Sequence, residues 1–340
     1  MINSAAPPRS PLRFFLLVFA LSVPFWVVGA VAESQGFRPK LPMRLPVSSV
    51  MAFCPAIAAG ILILRAEGYA GVTRLLRRSV DYRSVRPPRW YVVIVLLNPA
   101  IVLASYVVMR LLGRPLPEDP AISPTALPLL LLIFFLSAIG EEAGWTGYAL
   151  DPLQNRWGAL AASLLIGVVT AVWHLIPLLQ GHHSLEWIAW KCLETVAARF
   201  LIVWLYNSTG RSLFAAVLFH ALSNVSVSMF PNGGSHYDPA VAGVITFILA
   251  GIVAFSFGRG GHRQPTAALH LSSPRSRRVC TNCPLERRAM VSYCTLVEVT
   301  ASLKEAPPEF AEFGRRTVVP VRSERVIDGS YKLARPPGPL

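Results

Sequence analysis

Long apolar stretches separated by short polar segments recur along the first three quarters of the chain. A helix that crosses a bilayer core needs about 20 apolar residues, and eight stretches approach that length. They lie at residues 14–32, 47–64, 90–109, 127–150, 159–179, 187–206, 213–230 and 241–257. This pattern predicts an all-α protein, a polytopic membrane helical bundle of about eight transmembrane helices.

Two of the eight stretches have unusual features. The first follows Arg9 and Arg13 and ends in Ala-Val-Ala, which resembles a signal-peptidase site. Its apolar run is longer than the 7 to 15 residues of a signal peptide, so we expect a retained helix. The sixth contains Lys191, Glu194 and Arg199; Lys191 and Glu194 are three residues apart and can neutralise each other on one helix face.

Composition and charge support a membrane protein with basic cytoplasmic loops. The chain is 53% hydrophobic and 15% charged, with a mean hydropathy of +0.49, whereas a soluble domain carries about 25% charged residues. Its net charge of +14 would also suit a nucleic-acid binder. No aromatic interleaving or known nucleic-acid-binding module accompanies the basic residues, so the partner expected from the charge is the lipid bilayer, with no nucleic acid.

The basic residues also predict the orientation. Between the second and third stretches lie seven arginines, whereas the segment between the seventh and eighth has none. Because cytoplasmic loops are enriched in Lys and Arg, we expect an integral protein of the bacterial plasma membrane with both termini in the cytoplasm. We expect a transmembrane domain over 1–258 and a basic, mostly disordered cytoplasmic tail over 259–340.

The five cysteines do not form a disulfide framework. Cys54 and Cys192 lie in apolar runs, where cysteine behaves as a small apolar residue. The tail cysteines, Cys280, Cys283 and Cys294, have a spacing that matches no common zinc site. We expect them to be reduced, unengaged thiols.

Ionisable groups inside a membrane are costly and tend to be functional. Glu141 and Glu142 end an apolar run in the fourth stretch. Adjacent residues on a helix point about 100° apart, so the two carboxylates cannot fill one role in one site. We predict that one acts on substrate or water, while the other orients a neighbouring group.

Histidines and an asparagine accompany the two glutamates. His220 and Asn224 are four residues apart and face the same way on one helix, where they can bind a metal, polarise a carbonyl or hold an oxyanion. His174 supplies a second imidazole from the fifth stretch. At 1.5 Å per residue, Glu141 and His220 lie about 14 and 10 Å from the cytoplasmic ends of their spans, but His174 lies about 22 Å away if its helix starts at Ala159. We therefore expect either a later start or a segment 151–158 that dips into the membrane.

The order and spacing of these motifs resemble the CPBP family, which comprises type II CAAX prenyl proteases and bacteriocin-processing or immunity proteins and is also called Abi. The first motif, Glu-Glu-x-x-x-Arg followed by Gly-Tyr, resembles residues 141–150. Trp173-His174 resembles the end of the second motif, Phe-x-x-x-His. The third resembles residues 219–224, and the segment before it resembles 204–213. The resemblance covers the core motifs at 125–230, about a third of the chain.

The resemblance implies an intramembrane endopeptidase with the catalytic residues Glu141, Glu142, His174, His220 and Asn224. Glu141 would be the general base that activates water, Glu142 would orient the site, and the other three would position the water or metal and stabilise the oxyanion. Substrates would be peptides or proteins, either prenylated or otherwise tethered to the membrane. The family is often called metalloprotease. Two mechanisms therefore stay open: a three-ligand Zn²⁺ site made by Glu141, His174 and His220, and a metal-free glutamate mechanism.

Two positions depart from the family pattern: Thr146 stands in place of the motif Arg, and Thr170 in place of Phe. The missing arginine removes a cation that could hold one carboxylate fixed. This leaves open a catalytically silent member that acts as a membrane immunity factor or chaperone. A third hypothesis is a proton-coupled transporter that uses the buried Glu and His as a relay, although the chain shows no symmetry of two halves.

Overall fold

The computed structural model describes residues 9–37, 45–118 and 124–259, which all fall within one compact unit spanning 1–264. The predicted tail beyond residue 259, with its three cysteines, lies outside the described residues. Eight long α-helices account for most of the described chain: α1 Pro11–Ser34, α2 Cys54–Val80, α3 Trp90–Leu111, α4 Leu127–Gly144, α5 Asp151–Gln180, α6 Leu185–Ser208, α7 Leu213–Ser228 and α8 Pro239–Arg259.

Several helices begin at serines that cap their first turn. Ser10 precedes α1 and accepts from the Arg13 amide, Ser184 caps α6, and Ser212 accepts from the Ala215 amide at the start of α7. A serine at this position satisfies one of the amide groups that the first turn leaves without a partner. These caps fix where each apolar run becomes a helix.

Two connections differ from the sequence prediction. The arginine-rich segment after residue 64 is mostly helical, because α2 continues to Val80 past a break at Gly68, where φ is +67°. The fourth stretch does not end in a loop, since a π-helical segment, Trp145–Leu150, joins α4 directly to α5. α5 is itself broken at Gly158, where φ is +82°. Glycine adopts these positive φ values without the steric cost that a side chain would add.

Four helical segments are long and apolar enough to cross a membrane. They are Pro11–Ser34, Val47–Val80, Trp90–Leu111 and Leu127–Gln180, and the last contains both α4 and α5. Leu213–Ser228 and Pro239–Phe255 are shorter apolar helices. α6 carries Lys191, Glu194 and Arg199. The described chain is therefore an all-helical protein with four candidate spans, and the count of eight stays a prediction.

α4 is the central helix for function, and it packs between α2 and α7. Two glycines on its last turns permit a close approach to the start of α2. A Cβ atom at Gly144 would lie 2.6 Å from both the Cβ and the carbonyl oxygen of Pro55, and one at Gly140 would lie 2.7 Å from the carbonyl oxygen of Ala52. The backbones touch directly here, so the position of α4 is tightly fixed.

We expect Gly144→Ala to destabilise the protein by about 1–3 kcal/mol, because an added methyl group meets backbone atoms that cannot move aside. Gly60→Ala is the matched control, since a Cβ at Gly60 has nothing within 4 Å. Alanine there should be neutral or stabilise α2 by up to about 1 kcal/mol. Thermal unfolding of both variants in detergent measures the difference, and equal midpoints would contradict the close packing.

Candidate active site

The two adjacent carboxylates at the end of α4 point to different surroundings. Both side chains are buried, with Glu141 5% and Glu142 0% exposed. Glu141 lines the large internal cavity of the protein, whereas Glu142 is not among the residues that line it. In the part of the chain that the structure describes, Oε2 of Glu141 is buried and has no hydrogen-bond partner.

Glu142 is the centre of a buried polar cluster. Nη1 of Arg199 on α6 donates to both of its oxygens, at 3.0 Å to Oε1 and 2.7 Å to Oε2. The Thr146 hydroxyl, one helical turn further on, donates to Oε2 at 2.5 Å. Arg199 is only 3% exposed, so this is a fully buried ion pair. Such a pair is tolerated when further hydrogen bonds satisfy its atoms, as they do for Glu142.

The same carboxylate orients His220 on α7. Nδ1 of His220 lies 2.8 Å from Oε1 of Glu142. Because an ionised carboxylate can only accept, Nδ1 must carry the proton and donate it, and Nε2 is left to meet a substrate. Asn224 lies one turn further along α7 and lines the same cavity as His220.

His174 on α5 approaches Glu141 from the other side. Its Nδ1 lies 2.8 Å from the Thr170 carbonyl oxygen, and its Nε2 lies 4.0 Å from Oε2 of Glu141. A carbonyl only accepts, so Nδ1 is the donor and Nε2 carries the free lone pair. The neighbouring Trp173 anchors α5 to α1 by donating to the Ser22 hydroxyl at 2.7 Å. Counting residues along straight helices placed His174 and Glu141 at different depths in the membrane. In the structure the two side chains nevertheless lie 4.0 Å apart.

Four of the five predicted catalytic residues meet in one cavity of about 730 Å³. They are Glu141, His174, His220 and Asn224. Glu142 does not line the cavity but contacts Nδ1 of His220. The four side chains line only part of the cavity. Most of its walls are apolar and include Phe134 and Trp173. The arrangement can hold an extended segment of a peptide against a carboxylate, two imidazoles and a carboxamide.

The residues do not fit the three-ligand zinc site. Within residues 9–37, 45–118 and 124–259, no group of three or more His, Cys, Asp or Glu side chains is arranged to hold a metal ion. The 4.0 Å between the Glu141 and His174 atoms exceeds the roughly 3.4 Å expected between two ligands about 2.1 Å from a tetrahedral zinc. No step of the chemistry is therefore routed through a metal.

A second polar group fixes α6 to the loop before α8. Nζ of Lys191 lies 3.1 Å from Glu194, as predicted from their spacing, and the Tyr237 hydroxyl donates to the other oxygen of that carboxylate. Burial, together with the nearby carboxylate, raises the pKa of Tyr237 well above its usual range. The hydroxyl therefore stays a donor at neutral pH and holds the loop against the cavity wall.

Arg199 is a buried residue of the candidate site to which sequence reasoning gave no role. It was one of the few ionisable residues in an apolar stretch, which is a signal for function. Its partner lies 57 positions earlier in the chain, and nothing in the spacing connects the two. The guanidinium that contacts Glu142 thus comes from α6. The motif position for arginine, one turn after Glu142, holds Thr146 instead.

Comparison with known proteins agrees with this geometry. Residues 123–226 match the family model described as type II CAAX prenyl endopeptidase Rce1-like. CAAX prenyl protease 2 of Methanococcus maripaludis is 26% identical over 231 residues, which cover 64% of this chain and 83% of that protein. Lysostaphin resistance protein A of Staphylococcus haemolyticus is 21% identical over 230 residues, covering 64% of this chain and 56% of that protein.

These findings define the class of protein: an integral membrane protein with apolar helices and a buried glutamate pair between them. The resemblance drawn from the sequence motifs is confirmed: residues 123–226 match the Rce1-like family model, and the CAAX prenyl protease relative is similar over a longer part of the chain. The chain spans only about half the length of the lysostaphin resistance relative.

Proposed function

We propose that this protein is an intramembrane endopeptidase in which Glu141 activates a water molecule for attack on a peptide bond. The family match and the CAAX prenyl protease relative support protease chemistry. One geometric observation carries the mechanism: Oε2 of Glu141 and Nε2 of His174 lie 4.0 Å apart, and both atoms belong to residues that line the cavity.

Both atoms are hydrogen-bond acceptors, so one water molecule can donate one hydrogen to each of them. Two hydrogen bonds of about 2.8 Å to acceptors at this separation subtend about 90°, close to the angle within a water molecule. A water held in this way donates both hydrogens and keeps a lone pair for the substrate carbonyl. Glu141 then takes the proton as the water oxygen forms its bond to the carbonyl carbon.

The remaining residues suit the later steps. The Asn224 carboxamide can donate to the oxygen of the tetrahedral intermediate, and His220, whose Nδ1 donates to Glu142, adds a second donor from Nε2 when its ring is doubly protonated. Collapse of the intermediate breaks the C–N bond. The proton held by Glu141 passes to the leaving amine, which restores the carboxylate for the next turnover.

The buried ion pair favours an active enzyme over a silent member of the family. A silent immunity factor or chaperone was suggested by the loss of the motif arginine at Thr146. Arg199 supplies that guanidinium to Glu142 from another helix, and Thr146 supplies an additional hydrogen bond. Glu142 and His220 thus keep the partners that the chemistry needs.

For the membrane topology we propose eight spans, with both termini in the cytoplasm of a bacterium. Helices α1 to α8 correspond to the eight apolar stretches, and the charge bias supports this orientation. The basic segment after residue 259 would then face the anionic headgroups of the inner leaflet.

The proposal is tested with the purified full-length protein in proteoliposomes and a panel of prenylated and unprenylated peptides. We expect cleavage of a subset of these peptides by the wild type, and a loss of cleavage in Glu141→Ala and His220→Ala. If no peptide is cleaved, or if cleavage survives both substitutions, the protease assignment fails. Comparing prenylated and unprenylated versions of one peptide shows whether the lipid is recognised.

We further propose a metal-free glutamate mechanism, which predicts that chelation leaves activity unchanged. Dialysis against EDTA and 1,10-phenanthroline should not lower the cleavage rate, and metal analysis of the active protein should find sub-stoichiometric zinc. A chelator-dependent loss that added Zn²⁺ restores would contradict this mechanism and require a rearranged Glu141, His174 and His220.

A further inference from the structure

Lys191 on α6 is an ionisable residue of the cavity to which the mechanism above gives no role. It lies in an apolar helix and lines the same cavity as Glu141. An ionisable group in such surroundings is costly and tends to be functional. Lys191 is therefore a candidate for direct contact with the molecule that occupies the cavity.

The ammonium group of Lys191 is held in place by two neighbours. Its Nζ lies 3.1 Å from Oε2 of Glu194 and 5.4 Å from the ring centroid of Tyr237. The other oxygen of Glu194 accepts from the Tyr237 hydroxyl, so both oxygens of this carboxylate are satisfied. Because Glu194 is only 8% exposed, it holds the ammonium group from inside the protein.

The same arrangement leaves hydrogen-bonding capacity on Lys191. An ammonium group has three N–H donors, and in the part of the chain that the structure describes Nζ makes one hydrogen bond, to Glu194. Two donors are therefore available for a ligand. The side chain of Lys191 is 28% exposed, against 10% for that of Glu194, so the cation is the more accessible member of the pair.

Lys191 lies at about the same depth in the bundle as His174 on the neighbouring helix. His174 is six residues before the end of α5, and Lys191 is six residues after the beginning of α6, so each lies about 9 Å from the connection between the two helices. The Cys192 sulfur lies 4.0 Å from the Ala171 carbonyl oxygen, which confirms that these levels face each other. Axes of packed helices are about 8–10 Å apart, a distance that a short extended peptide segment spans.

The other charged residues of the cavity are less suited to bind an anion. Besides histidines, its described lining includes two carboxylates, Glu141 and Asp238, and a second cation, Arg114. The carboxylates repel an anion. Arg114 is exposed in the connection after α3, where water screens its charge. Lys191 is therefore the cation best placed to hold an anionic group inside the cavity and to offset the repulsion from Glu141.

We propose that Lys191 binds a carboxylate of the peptide in the cavity, and that the protein therefore prefers segments that carry a carboxylate near the bond to be cleaved. The carboxylate comes from an Asp or Glu side chain or from a C-terminus. Charge-assisted hydrogen bonds of this kind are strong and directional. Glu194 and Tyr237 are positioning residues that fix the ammonium group. The assignment rests on the proposed function, since it requires peptides to occupy the cavity.

Four versions of one peptide test the preference. Three are acetylated and amidated and carry Glu, Gln or Lys at one position, which is moved along the sequence; the fourth carries Gln and a free C-terminal carboxylate. Calorimetry measures their binding to the full-length protein in detergent, and kcat/KM is measured for each peptide that is cleaved. We expect the Glu peptide, the free-carboxylate peptide or both to bind about 10–100-fold more tightly than the amidated Gln peptide, the range for a hydrogen bond to a charged group. Equal binding of all four would overturn the proposal.

Variants of the cavity wall show whether Lys191 causes the preference. Lys191→Met with Glu194→Gln removes both charges and leaves neither unpaired, and the preference for a carboxylate should disappear. Lys191→Arg should retain it, and the exchanged pair Lys191→Glu with Glu194→Lys should favour the Lys peptide instead. Arg114→Met, which removes the other cation of the cavity, is the matched control and should keep the wild-type preference. A preference that survives the charge-neutral pair, or that Arg114→Met abolishes, would contradict the role of Lys191.

The two readouts separate the carboxylate site from the protease chemistry. Carboxylate-dependent binding without cleavage of any peptide would reject the protease and keep the site. Cleavage without a carboxylate preference would reject the site and keep the protease.

Discussion

Glu141→Gln should reduce peptide cleavage by about 10²–10⁴-fold, the range expected for loss of a general base. Glutamine preserves the size of the side chain, but its neutral carboxamide cannot take a proton from water. Because the cavity walls and Asn224 are unchanged, the KM for a cleaved peptide should shift little, and the loss should appear in kcat. Steady-state kinetics in detergent measure the two separately.

Glu67→Gln is the matched control for this variant. Glu67 on α2 is also a paired glutamate, held between Arg9 and Arg74, but it does not line the cavity. Its loss should leave kcat unchanged. If Glu141→Gln retains more than about a tenth of the wild-type kcat, Glu141 does not supply general-base catalysis of the expected size.

Arg199→Met should have the largest effect on stability. The methionine keeps an unbranched chain but removes the charge, and the Glu142 carboxylate is left buried with only the contacts from Thr146 and His220. Breaking one partner of a buried ion pair costs about 3–5 kcal/mol. We expect a lower unfolding midpoint in detergent and a loss of cleavage, because a Glu142 carboxylate that Arg199 no longer fixes orients His220 less well.

Moving the cation tests whether Arg199 replaces the motif arginine. Thr146→Arg combined with Arg199→Ala returns the guanidinium to the position one turn after Glu142 and vacates space for it. We expect this pair to recover part of both stability and cleavage relative to Arg199→Ala alone. Unchanged activity in Arg199→Met would show that Arg199 has no positioning role, and no recovery in the relocated pair would show that positions 146 and 199 are not equivalent.

A charge-neutral pair distinguishes positioning from simple stability. Arg199→Met with Glu142→Gln removes both charges, so the penalty of an unpaired buried carboxylate disappears and the unfolding midpoint should rise above that of Arg199→Met. Cleavage should stay low, because the neutral carboxamide introduced at position 142 holds His220 less firmly than the Glu142 carboxylate does. A fully active, stable double variant would mean that the ion pair only supports the fold.

Several site residues could be predicted from the sequence because chemistry and local spacing mark them. Glu141, Glu142 and His174 stand out as ionisable groups in apolar runs, and His220 and Asn224 share a helix face through their spacing of four. The roughly 100° between adjacent helical residues also predicted different roles for the two glutamates. Local rules of this kind hold before any tertiary contact forms.

The sequence by itself therefore determined the helical membrane character, the candidate residues and the separation of two carboxylate roles. Only the tertiary structure decided that Glu141 faces the cavity and Glu142 faces Arg199, because the rotation of a helix about its axis is set by packing against its neighbours. The close contact of Gly144 with Pro55 fixes that rotation for α4. The same packing brings Arg199 on α6 to Glu142, and a contact between helices so distant in the chain leaves no periodic trace in the sequence.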